Sequence, residues 1–217
     1  HGKLRRNYSD FYSRSRQLAS ALSEQGIARG DTVSVILSNT PAMLEAHYGV
    51  PMCGAVLHSI NTRLDPDTIA YQLDHANSRA LIVDREFLKT AKTSLEFAGV
   101  SPILIEFNDS DYPIKESLPG AIEYEEFLLQ GDKNYNWLMP EDEWDAISLN
   151  YTSGTTGNPK GVVSHHRGAY LLAQGNAMIA SIKKHSVYLW TLPMFHCNGW
   201  CFPWTMSAII GTHVCLR

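Results

Sequence analysis

The chain has 217 residues, 44% of them hydrophobic, and a formal net charge of −4. That length and apolar fraction suit a globular protein with a real core, and the mildly acidic balance excludes the basic footprint of a nucleic-acid binder. No apolar run approaches the roughly 20 residues a membrane helix needs.

In chain order, residues 8–25 place Phe11, Leu18, Ala21 and Leu22 near a helical period, and Gly26 stops the run. Residues 31–37 are apolar and β-branched, the pattern of a buried strand. Asn39, Thr40 and Pro41 then open a helix through Cys53, with Thr40 as the expected N-cap and Pro41 at the first helical position. Residues 54–58 read as a short strand, and Asp65-Pro66-Asp67 opens a helix to His75. A strand over 79–83, a helix over 86–97 and a strand over 103–107 follow. This alternation predicts an α/β fold with a parallel sheet, and ligand at the carboxyl ends of its strands. Residues 108–120 and 132–143 are polar connectors, and the second is a possible subdomain boundary. Strands are expected over 144–149, 187–191 and 212–216, and helices over 167–181 and 198–210. No internal repeat or low-complexity tract is present.

The most informative stretch is Tyr151-Thr152-Ser153-Gly154-Thr155-Thr156-Gly157-Asn158-Pro159-Lys160-Gly161. It concentrates four Ser and Thr hydroxyls, three glycines and a lysine in one loop. Glycine lets backbone approach a ligand closely. Hydroxyls and backbone N–H groups donate to phosphate oxygens, and lysine adds a point charge. The other reading is a flexible surface turn; the apolar segments on either side, 146–149 and 162–163, argue for a polyphosphate cradle. The loop is not a Walker A motif, which needs Gly-Lys-Ser/Thr in succession and an immediate helix. Here Gly161 and Val162 follow Lys160, so the expected context is strand–loop–strand.

These residues resemble the phosphate-binding loop of the adenylate-forming (AMP-binding) superfamily, which includes acyl-CoA synthetases, luciferases and adenylation domains. A second block, Thr191-Leu192-Pro193-Met194-Phe195-His196-Cys197-Asn198-Gly199-Trp200, is similar to the family's next core motif, an aromatic-His segment ending in glycine. Asn61-Thr62-Arg63-Leu64 resembles an early family segment, and Arg63 is read as structural. The wording of the second block is most similar to plant acyl-activating enzymes for short- or medium-chain fatty acids or benzoate-like acids. The likeness runs over nearly the whole chain. It implies the N-terminal part of an ATP-dependent carboxylate–CoA ligase, with ATP, Mg²⁺ and CoA, and an acyl-adenylate formed before the thioester.

By the same resemblance, Lys160 and His196 are the expected catalytic residues. Thr152, Ser153, Gly154, Thr155, Thr156, Gly157 and Lys160 would hold the ATP phosphates. Phe195, His196, Gly199 and Trp200 would face the acyl substrate. Each has a plainer alternative: a solvated lysine for Lys160, turn capping for some of the hydroxyls, a satisfied core histidine for His196, and core packing for Phe195, Gly199 and Trp200.

No metal site is expected. His165 and His166 are adjacent and point apart, which suits a helix start better than a chelate, and Cys197 and Cys201 lack the further ligands zinc requires. Four cysteines without regular spacing suit small buried thiols in a reducing compartment. The Glu141-Asp142-Glu143 run reads as a solvated face. The chain opens on His1 and closes on a strand pattern at Val214-Cys215-Leu216-Arg217, so both ends are expected to be cuts in a longer protein, with a small C-terminal domain beyond them. Alone, the chain is expected to be inactive. The competing expectation is a truncated, non-catalytic product that binds nucleotide or a partner protein. An intracellular location, cytoplasmic or peroxisomal, is expected from the resemblance.

Overall fold

The computed structural model describes residues 1–152 and 157–217. At its centre lies strand β1 (Thr32–Ile36), buried at every position. Two valines and an isoleucine fit a strand covered on both faces. Its polar Ser34 is satisfied by the side chains of His58 at 2.8 Å and Ser78 at 2.6 Å.

Six further strands flank it: β2 (Val56–Ser59), β3 (Ser78–Asp84), β4 (Ile103–Phe107), β5 (Ile122–Glu123), β6 (Ala146–Tyr151) and β7 (Gly161–His165). Their order is β5-β4-β3-β1-β2-β6-β7. Every pair is parallel except β6–β7, an antiparallel hairpin with Tyr151 opposite Gly161. The expected parallel α/β sheet and strand–loop–strand context are both present.

Helices cover the two faces. Helices α1 (Tyr8–Glu24), α2 (Pro41–Met52) and α5 (Tyr124–Gln130) lie on one side; α3 (Pro66–His75) and α4 (Leu88–Phe97) lie on the other. Along β3 the side chains alternate between them. Ala80 and Ile82 join a core with Leu18, Met43 and Phe127, while Leu81 and Val83 join a second with Ile69, Leu73 and Ala91. A period of two with both faces covered is why these strands read as nearly continuous apolar runs. Glu45 of α2 is fully buried and receives Arg6 at 2.9 Å, Arg14 at 2.7 Å and the Tyr124 hydroxyl at 2.9 Å, tying α1, α2 and α5 together.

Several boundaries differ from expectation for local reasons. Pro41 begins α2, but the Thr40 hydroxyl makes no capping bond and is buried without a partner; the fixed φ of proline suffices to start the turn. The 86–97 helix opens as a 3₁₀ turn, Arg85–Phe87, whose cap is the Asp84 side chain. β5 and α5, of two and seven residues, were not anticipated because neither is long enough to display a period. Residues 132–143 do not divide the sheet, since β6 beyond them pairs with β2. A separate two-stranded parallel sheet, β8 (Val187–Trp190) and β9 (Thr212–Cys215), lies further on, with α6 (His166–Ile179) packed on α7 (Phe202–Ala208). His165 caps α6, its Nδ1 accepting from the Gly168 N–H at 2.9 Å. Glu141 and Glu143 lie exposed beside Arg29 and Arg167, as a solvated face. Cys53, Cys201 and Cys215 are buried free thiols and Cys197 is an exposed one. No described helix is long and apolar enough to cross a membrane.

Candidate active site

The glycine-rich loop leaves the carboxyl end of β6 and returns into β7. Its neck is closed by two hydrogen bonds. The Thr152 N–H donates to the Lys160 carbonyl at 3.0 Å, and the Lys160 N–H donates to Thr152 Oγ1 at 3.2 Å. Thr152, Gly157 and Lys160 are exposed. One of the four hydroxyls, Thr152, thus serves the turn itself. Ser153, Gly154, Thr155 and Thr156 lie outside the described residues.

The second motif crosses the carboxyl ends of three strands. Just past β1, Asn39 clamps it: Nδ2 donates to the carbonyls of Trp190 at 3.0 Å and Leu192 at 2.9 Å, and Oδ1 accepts from the Met194 N–H at 2.8 Å. From β6, Asn150 donates to the Phe195 carbonyl at 3.2 Å. Asn198 is buried and central. It donates to Ser148 at 2.7 Å and Asn150 at 2.8 Å, and accepts from Ser59 of β2 at 3.2 Å.

The expected continuous helix over 198–210 is broken here. Cys197, Asn198, Gly199, Trp200 and Cys201 all have positive φ, between 49° and 63°, before α7 begins at Phe202. Left-handed backbone costs a non-glycine residue roughly 1–2 kcal/mol. The hydrogen bonds of Asn198 and the packing of Gly199 hold the turn in place. A Cβ on Gly199 would stand 2.7 Å from the buried Trp190 ring, so glycine is required there by space as well as by φ. Strain concentrated in one turn is a mark of functional sites.

The two expected catalytic residues are both accessible. His196 is exposed, which sets aside the core-histidine alternative, and Trp200 is 55% exposed, so it is not a core side chain. Phe195 is half-buried and packs on the main core, and Gly199 faces Trp190; these two support the turn from below. Behind the site, His58 of β2 is fully buried, 5.1 Å from the Tyr151 ring. Burial lowers its pKa to about 3, with Gln72 near enough to oppose the shift but not in bonding geometry, so Nε2 has no partner.

Asn39, Ser59, Ser148, Asn150 and Asn198 position the motif, yet only Asn198 lies within it. Single polar residues at strand ends carry no periodic or motif signal, because their partners are distant in sequence. A cavity of about 470 Å³ lies elsewhere, lined by Arg6, Phe11, Glu45 and His213 among others.

A mostly parallel α/β sheet thus carries a glycine-rich loop and a left-handed aromatic-His turn together at the carboxyl ends of its strands. The family model for AMP-binding enzymes matches residues 2–217, and the chain belongs to that family. It is 52% identical to an acetate/butyrate–CoA ligase described as peroxisomal from Arabidopsis thaliana, covering 100% of this chain and 40% of that protein. An acetate–CoA ligase from Humulus lupulus is 46% identical over 100% of this chain and 40% of its own length. A peroxisomal benzoate–CoA ligase from Arabidopsis thaliana is 43% identical, over 100% and 39%. The chain thus spans about 40% of the length of these curated relatives. The crystal structure of an anthranilate CoA ligase with anthranoyl-AMP superposes with a TM-score of 0.84 at 22% identity, over 95% of this chain and 39% of that one, which establishes the shared fold.

Proposed function

We propose that this chain provides the polyphosphate clamp and part of the acyl site of an ATP-dependent carboxylate–CoA ligase for a short- or medium-chain fatty acid or a benzoate-like acid. The observation that carries the reading is the joining of two motifs at one sheet edge: the Thr152–Lys160 neck and the His196 turn are both built on β6, through Tyr151 and through Asn150. Relatives named for acetate, butyrate and benzoate support the substrate class.

In this reading a carboxylate oxygen attacks the α-phosphorus of ATP. The bond from that phosphorus to the bridging oxygen breaks, and pyrophosphate departs carrying the electron pair. Lys160 and the loop hydroxyls and amides, Thr152 through Gly157, meet the charge on the departing group, and His196 hydrogen-bonds the charge developing at the α-phosphate. A prearranged electrostatic clamp is sufficient for this step, and no covalent enzyme nucleophile is involved. The thiol of CoA then displaces AMP in the longer protein.

Mg²⁺ neutralises phosphate charge when it is bound. Among the described residues, the one cluster with metal-ligand spacing is His1, Asp109 and Asp111, and Arg217 already pairs with Asp109 at 2.6 Å. The described neck offers hydroxyl, amide and ammonium donors, which fit the phosphates, and Mg²⁺ in this proposal arrives with the nucleotide. An intracellular site of action, cytoplasmic or peroxisomal, accords with relatives named as peroxisomal.

The test is carboxylate-dependent ATP–pyrophosphate exchange with acetate, butyrate, hexanoate, benzoate and cinnamate, on the chain extended to the length of its relatives. Exchange that Lys160→Ala abolishes supports the reading. No exchange from a folded extended protein overturns it and leaves a non-catalytic binding product. The 217-residue chain alone is expected to be silent.

A further inference from the structure

Helix α3 touches the phosphate loop at both ends of its neck. The Tyr71 hydroxyl donates to the Pro159 carbonyl at 3.3 Å, one residue before Lys160. His75 Nδ1 pairs with the Tyr151 hydroxyl at 2.7 Å, one residue before Thr152. Tyr71 and His75 are four apart, so they share one face of the helix, and their rings stack at 5.4 Å with an interplanar angle of 23°. The Tyr151 ring also packs against His58, with ring centroids 5.1 Å apart. Tyr151 stands opposite Gly161 in the hairpin, so fixing it fixes the register in which Lys160 leaves the strand.

Burial, with Tyr71 adding to it, raises the Tyr151 phenol to about 12; it keeps its proton at neutral pH and remains able to hydrogen-bond His75. α3 in turn is anchored to the sheet through Ile69 and Leu73 in the second core.

We infer that Tyr71 and His75 are positioning residues: α3 braces both strands of the loop neck and thereby sets where Lys160 meets the polyphosphate. This rests on the ligase reading for its ligand, while the bracing itself is a property of the described neck. Nothing in the motif marks Tyr71 or His75, which lie some 80 residues before it.

The test uses the extended protein and two readouts. Without nucleotide, hydrogen exchange at the Thr152 and Lys160 amides reports neck opening. In ATP–pyrophosphate exchange, the KM for ATP and kcat are compared with the KM for the carboxylate. Tyr71→Phe and His75→Ala are expected to speed amide exchange at both positions roughly three- to tenfold, the loss of one hydrogen bond. They should worsen kcat/KM for ATP by a similar factor, leave the carboxylate KM unchanged, and leave α3 amides protected. His75→Asn, which keeps a polar atom at the Nδ1 position, should restore both readouts. Unchanged neck exchange in both variants overturns the inference, as does an equal loss toward ATP and carboxylate. If the wild-type protein shows no pyrophosphate exchange while the variants still loosen the neck, bracing stands and the ligase reading fails.

Discussion

His47 and His58 are fully buried, and each leaves Nε2 without a hydrogen-bond partner. Burial lowers His47 to about 4, against a backbone bond to the Met43 carbonyl that favours the proton, and lowers His58 to about 3. In the unfolded chain both return to the ordinary value near 6.5. The unfolded state therefore takes up protons first, and stability must fall with pH. The contribution is whole above pH 6.5 and is lost as pH falls toward about 4 and 3. From pH 6 to pH 5 each group costs about 1 kcal/mol, since one pKa unit corresponds to about 1.4 kcal/mol. The pair costs about 2 kcal/mol, a large share of a net stability of about 5–15 kcal/mol. His213, lowered by burial to about 4, acts in the same direction. Urea unfolding followed by circular dichroism at pH 7, 6 and 5 reads the effect. His47→Gln and His58→Gln should each remove about 1 kcal/mol of this pH dependence whatever they do to stability at pH 7. Flat stability between pH 6.5 and 5, or an unaltered pH slope in both variants, would refute the reasoning.

Gly199→Ala should destabilise the protein by about 2–5 kcal/mol, combining left-handed backbone with an overpacked contact on Trp190; a urea midpoint shift of that size with an unchanged m-value checks it. Asn198→Ala strands the Ser148 and Asn150 groups it bonds and should cost about 2–4 kcal/mol; a loss below 0.5 kcal/mol in chemical denaturation speaks against that role. Glu45→Ala leaves Arg6, Arg14 and Tyr124 without their buried acceptor and should cost about 3–5 kcal/mol; thermal unfolding decides it. Lys160→Ala should weaken pyrophosphate binding at least tenfold and leave the unfolding midpoint in place, since its side chain is exposed; calorimetric titration distinguishes this from a folding defect.

The local chemistry of the chain was enough to establish the layered α/β class, most of the element order and a glycine-rich loop between two strands. Strands such as β4 (Ile103–Phe107) and helix starts such as Asp65-Pro66 are dictated by short-range effects: burial period, proline geometry and a capping carboxylate that accepts the Thr68 N–H at 2.9 Å. The loop is legible because its glycines, hydroxyls and lysine are contiguous, as the proposed polyphosphate clamp requires. Tertiary structure alone decided what holds that chemistry in place. Asn39 and Met194 are 155 residues apart, Asn198 and Ser148 are 50 apart, and Tyr71 and Pro159 are 88 apart. Those pairings follow from the sheet order, in which β6 lies beside β2 and the motif turn crosses above both. Residues 198–201 read as the start of a helix because they allow one locally; long-range bonds to Asn198 and the closeness of Trp190 select the left-handed alternative.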